Sequence, residues 1–139
     1  KIQERALRIV YKDYNLSFEE LLIKSGSVKI HHRNLQILAT EMYKVINNHS
    51  PILMKDVFKV KDVNYNFRSD VNFTSYNVKS VHYGTETISF LGPRIWAQVP
   101  NEIKTSNSIN VFKHKIKAWV PKHCPCRICK TYVANIGFI

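Results

Sequence analysis

Acidic side chains are few in this 139-residue chain, glycines fewer, and no long apolar run is present. The four glycines stand far apart, at 26, 84, 92 and 137, and none precedes a Lys-Ser or Lys-Thr pair. No loop of the kind that cradles phosphates can be drawn from them, which speaks against ATP or dinucleotide use. Without an 18-residue apolar stretch or an N-terminal signal peptide, a membrane partner is not expected. Two-metal phosphoryl transfer needs carboxylates held close together. Here Asp13, Asp56, Asp62 and Asp70 stand alone, and Glu19-Glu20 sits at a helix start, where the helix dipole accounts for it. No catalytic residue is identified. Nothing in the sequence specifies a Cys/His nucleophile pair either.

Cysteine is scarce too. Cys124, Cys126 and Cys129 are three in number and lie within six residues. An odd, clustered set is a poor disulfide framework and fits a reducing compartment, so an intracellular protein of the nucleus or cytoplasm is expected. The sequons at Asn15, Asn48 and Asn72 are then chance matches.

What the chain does have is positive charge and enough apolar surface to fold. Twenty-one Lys and Arg against ten Asp and Glu give a net charge of +11, with 45% apolar residues for one hydrophobic core. The charge is uneven, and no acid follows Glu102. A surface of one sign attracts polyanions, nucleic acid foremost.

Hydrophobic spacing predicts a mainly α protein, a small irregular helical domain with a short β-hairpin around residues 78–90. Residues 1–12 read as a helix with Ile2, Leu7, Ile9 and Val10 inward and Lys1, Arg5, Arg8 and Lys12 on the other side; helical spacing from the first residue suggests a piece of a longer polypeptide. Ser17 and Glu20 have capping-box spacing ahead of a short helix ending near Lys24, before Ser25-Gly26-Ser27. The strongest pattern, about Ile30 to Asn47, places Leu35, Leu38, Ala39, Met42, Val45 and Ile46 on a core face. Pro51 opens another short helix through Phe58. Residues 61–77 read as a long irregular segment. Gly92-Pro93 starts a turn carrying Ile95, Trp96 and Val99 up to Pro100. A last helix, Ser108 to Val120 with Ser108 as its cap, puts Ile109, Phe112, Ile116, Trp119 and Val120 on one side.

Four parts follow: helical residues 1–60, an irregular linker with the hairpin at 61–90, a helical part at 91–121, and a Cys-rich basic tail at 122–139. The tail's C-x-C-x2-C spacing can bring three thiolates to one zinc ion, with His123 or His114 as fourth ligand; free thiols are the plainer alternative. His31-His32-Arg33 reads as a solvated helix start. Trp96 and Trp119 invite base stacking, but their aliphatic spacing favours burial. The run Lys113, His114, Lys115, Lys117, Lys122, Arg127, Lys130 contains no acid, unlike an ordinary solvated face, and predicts salt-sensitive, sequence-tolerant nucleic-acid binding. Arg5, Arg8 and Lys104 are added as candidate contacts.

The order of several motifs carries a resemblance. Ser89-Phe90, Gly92-Pro93-Arg94-Ile95-Trp96, Val99-Pro100-Asn101-Glu102-Ile103-Lys104, Ser108, and Phe112-Lys113 with Ile116-Lys117 together resemble the region that follows the reverse transcriptase domain in non-LTR retrotransposons of the jockey and CR1 kind. There the pattern runs W-N-x-L-P-x-x-I-R, then S, then F-K-x-x-L-K. Gln3-Glu4-Arg5-Ala6-Leu7-Arg8-Ile9-Val10 is similar to the helix after the palm, near the thumb, and the cysteine cluster to the Cys-rich tails of some elements. Ala97 and Lys104 depart from the usual Asn and Arg. The resemblance implies a segment that holds template RNA, DNA or RNA–DNA hybrid for an upstream palm and is inactive alone. The alternative, from another class, is a host-retained structural or protein-interaction module.

Overall fold

In the computed structural model, the residues described are 2–61, 73–74, 76–79 and 83–121. Among them the chain is mainly helical: α1 (Ile2–Tyr11), α2 (Phe18–Lys24), α3 (Ile30–Ile46), α4 (Ile52–Val57), α5 (Ile88–Gln98), α6 (Asn101–Lys104) and α7 (Ile109–Lys117), with a 3-10 turn at Gly84–Glu86. No strand or sheet occurs among the described residues; an isolated antiparallel bridge joins Val60 to Phe73, beside a hydrogen bond from the Thr74 amide to the Lys59 carbonyl (2.8 Å). No described helix is long and apolar enough to cross a membrane. The chain divides into two compact units, Lys1–Asn34 and Leu35–Ile139, with the division falling inside α3.

In the first unit, α2 begins where the capping-box spacing placed it. The Ser17 hydroxyl accepts from the Glu20 amide, and the Glu20 carboxylate accepts from the Ser17 amide at 2.8 Å, so two otherwise orphaned donors are satisfied reciprocally. That contact holds the Glu20 carboxyl below its ordinary range, chiefly through the Ser17 backbone N–H. Gly26, at φ +60, turns the chain after α2 in the left-handed region that glycine adopts freely. Leu21 and Leu22 are the buried side chains of α2.

Helix α1 is oriented differently from the sequence expectation. Ile2, Ile9 and Val10 are 85%, 67% and 72% exposed, while Gln3, Glu4, Leu7, Arg8 and Tyr11 form the half-buried side. Directional polar bonds account for this choice. The Gln3 side chain donates to the Val28 carbonyl (3.0 Å) and accepts from the Ile30 amide (3.1 Å), so it serves the start of α3. On the same side Arg8 pairs with Glu4 at 2.9 Å, and the Lys24 ammonium lies over the Tyr11 ring.

The second unit is built around α3. Leu35, Ala39, Met42, Tyr43 and Val45 share one core with Phe58, Phe73, Ile95, Trp96, Val99, Phe112 and Ile116, and Leu38 and Ile46 pack at its margin. Its centre is aromatic: Phe112 stacks on Tyr43 with ring centroids 4.2 Å apart, and Trp96 lies 6.1 Å from both Phe112 and Phe73, edge-on to the latter. Aromatic pairs in such arrangements add attraction beyond the area they bury.

Two polar ties link α3 to the C-terminal helices. The Tyr43 hydroxyl donates to the Ser106 carbonyl, between α6 and α7. The buried Gln36 amide donates to the Lys117 carbonyl (3.2 Å), which the end of α7 leaves without a helical partner, and to the Trp119 carbonyl (2.8 Å) just beyond it.

The hairpin expected around residues 78–90 is absent from the described part of that stretch. Gly84–Glu86 form the 3-10 turn, and Thr87, extended at φ −69 and ψ 146, leads into α5. Loose alternation at Thr85, Thr87 and Ile88 is too short to specify a strand, and the deeper signal is the helical spacing of Leu91, Ile95 and Val99. Helix α5 thus starts four residues before Gly92-Pro93 and contains Pro93, which has no N–H to give the Ser89 carbonyl. Gly92 is buried against the core: a β-carbon there would lie 2.7 Å from the Phe58 ring and 2.9 Å from the Met42 sulfur.

Candidate functional site

Of the basic residues expected to meet a polyanion, Lys104 lies on α6 and Lys113, Lys115 and Lys117 on α7, and each has its own setting. Helix α7 is opened by Ser108, whose hydroxyl accepts from the Val111 amide at 3.3 Å. Phe112 and Ile116 are buried on its inner side, and Ile109 and Trp119 pack against the same core. At about 100° per residue, Asn110, Lys113, His114 and Lys117 then fall within one arc of about 100°, with Lys113 on the flank beside Ile116 and Lys117, Asn110 and His114 turned away from the buried side. All four are exposed.

Lys115 leaves α7 on another flank, and its ammonium donates to the Glu102 carbonyl of α6 at 3.1 Å. Lys104, half-buried on α6, holds its ammonium 5.6 Å from the Trp96 ring centroid, within cation–π range. Arg94 lies over Phe90, 3.8 Å from its centroid. The cations therefore sort into two kinds, those that brace aromatic rings or a carbonyl and those directed to solvent. Lys113 and Lys117 form no ion pair with a described residue.

In the first unit, Arg5 is exposed, whereas Arg8 is half-buried against Glu4 and also donates to the Tyr14 carbonyl. His31 and His32 open α3 side by side, their ring centroids 6.2 Å apart. Burial makes both harder to protonate than a free imidazole, and for His32 the neighbouring His31 and Lys29 add to the effect.

Lys122, Arg127 and Lys130, together with the candidate zinc ligands His123, Cys124, Cys126 and Cys129, lie outside the described residues. Among the described residues no group of three His, Cys, Asp or Glu could hold a metal ion. Trp96 is buried at 2% exposure and offers no open ring for base stacking, and Trp119 is half-buried against the same core. Sequence reasoning set Lys113, Lys115 and Lys117 together on the side away from the apolar residues, where all three are exposed, and passed over Asn110, whose spacing of three and seven residues from Lys113 and Lys117 was the available signal.

No protein-family model, curated protein or solved structure matches the chain.

Proposed function

We propose that this chain is a nucleic-acid-binding segment of a non-LTR retrotransposon reverse transcriptase, lying after the polymerase palm and holding template RNA or RNA–DNA hybrid, with no catalysis of its own. The reading rests on the motif resemblance. One observation supports it: along the resembling stretch the apolar motif positions Phe90, Ile95, Trp96, Val99, Phe112 and Ile116 are buried, while Lys113 and Lys117 are exposed. A segment with that pattern folds on its apolar positions and leaves its cations for phosphates, which bind them by counterion release.

The test is binding of the 139-residue protein to a labelled RNA–DNA duplex by fluorescence anisotropy. Binding at about 50 mM salt that weakens steeply by about 200 mM is expected. Absence of binding at the lower salt, or binding indifferent to salt, removes the reading.

A second reading, a protein-interaction module retained by a host, is favoured by the outer side of α1, where Ile2, Ile9 and Val10 lie exposed. Exposed apolar side chains grouped on one helix face are a recurrent mark of protein contacts. Replacing Ile9 and Val10 by serine leaves duplex binding unchanged on the first reading.

A further inference from the structure

We infer that α7 takes the phosphate backbone of a nucleic-acid duplex through a strip of Lys113, Lys117, Asn110 and His114, and that Lys115, indistinguishable from its neighbours in sequence, serves the α6–α7 joint instead. This deepens the nucleic-acid reading above and rests on it.

Three observations carry the assignment. The strip residues share one exposed arc that runs from Lys113, on the flank beside the buried Ile116, round through Lys117 and Asn110 to His114, so a ligand lying along that side of α7 meets all four together. Lys113 and Lys117 stand one helical turn apart, about 6 Å along the axis. That suits phosphates about two steps apart on one strand of a duplex, whose rise is about 3.4 Å per step. Asn110 adds an amide donor for phosphate oxygens without adding charge.

Lys115 projects from a different flank, and its ammonium is already committed to the Glu102 carbonyl. The third observation concerns the bases. Single-strand binders present aromatic faces on which bases stack, but Phe90, Trp96 and Phe112 of α5 and α7 are all buried in the core. The strip therefore offers charge and hydrogen bonds to a backbone and no Phe, Tyr or Trp ring to a splayed base. A contact of this kind positions the nucleic acid without reading its sequence.

The experiment measures the affinity of the full chain for an RNA–DNA duplex of about 20 base pairs, and for its DNA strand alone, between about 50 and 200 mM salt. Lys113→Ala and Lys117→Ala are each expected to flatten the slope of log affinity against log salt by about 0.9. Lys115→Ala should leave that slope unchanged. Asn110→Ala should weaken binding without altering the slope, because it removes a donor and no charge. Circular dichroism on each variant establishes that α7 remains folded.

A loss of slope in Lys115→Ala equal to that in Lys113→Ala overturns the assignment of the strip, as does a free strand bound more tightly than the duplex. Either result leaves nucleic-acid binding itself standing. A wild-type chain that binds neither ligand overturns the inference and the underlying reading together.

Discussion

Gly92 shows how a single absent side chain sets the spacing of the core. Alanine is the better helix former by roughly 1 kcal/mol, so on propensity alone Gly92→Ala would stabilise α5. The contact distances oppose that gain, because the added methyl meets the Phe58 ring at 2.7 Å and the Met42 sulfur at 2.9 Å. Overpacking typically costs about 1–3 kcal/mol. A net loss of stability is therefore expected for Gly92→Ala, read as a lower urea midpoint at unchanged slope. Trp96 poses the complementary case. Its indole Nε1 is buried with no hydrogen-bond partner among the described residues, so only its ring contributes to the packing with Phe73 and Phe112. Trp96→Ala should cost about 3–5 kcal/mol. Trp96→Phe should cost much less, because it keeps an aromatic ring and deletes an unsatisfied donor. Equal losses in the two denaturation curves would show that the N–H has a partner after all.

At the scale of elements, legibility followed the kind of signal. Helix α2 was readable because Ser17 and Glu20 lie three residues apart and bond within one turn, so nothing distant decides the outcome. The core face of α3 was readable from its period, and Leu35, Ala39, Met42 and Val45 are all buried. Periodicity failed at α1. Its apolar residues mark a face but cannot say whether this chain covers it, and Gln3, reaching the Val28 and Ile30 backbone, turns the helix the other way. The start of α5 was misread because Pro93 looked like a first-turn residue when it stands at the sixth position of the helix. The first turn of α3 carries a pH dependence of its own. His31 and His32 are harder to protonate folded than at the ordinary value of 6.5, so the unfolded chain binds more protons as pH falls through that value. Their contribution to stability is complete above about pH 6.5 and is lost on acidification below it. Urea midpoints measured at about pH 7.5 and 5.5 should differ in that direction, and a His31→Gln, His32→Gln double variant should narrow the difference.

For the whole molecule, composition raised the expectation of a polyanion partner, but only the fold separated cations that brace rings and carbonyls from those that face water. Charge counting treats Lys104, Lys113, Lys115 and Lys117 alike; burial and partner atoms do not. The zinc proposal for Cys124, Cys126 and Cys129 with His123 stands on spacing alone and has a direct measurement. Protein purified without added zinc should carry about one equivalent of metal, whereas three freely titrating thiols and substoichiometric metal would end the idea.

The Gln36 amide makes its two bonds across 81 and 83 residues of sequence, and these bonds fasten the end of α7 to α3 just before Pro121. Lys122, Arg127 and Lys130 follow from that fastened point, and a chain of nine residues can reach at most about 30 Å. On the proposed function, once the α7 strip has met a phosphate backbone, the tail cations would encounter the same polymer as an intramolecular event. Tethering of this kind raises the effective concentration of the second contact and multiplies affinity without any new interface. Gln36, which need touch no ligand, would then influence how strongly the whole chain holds one.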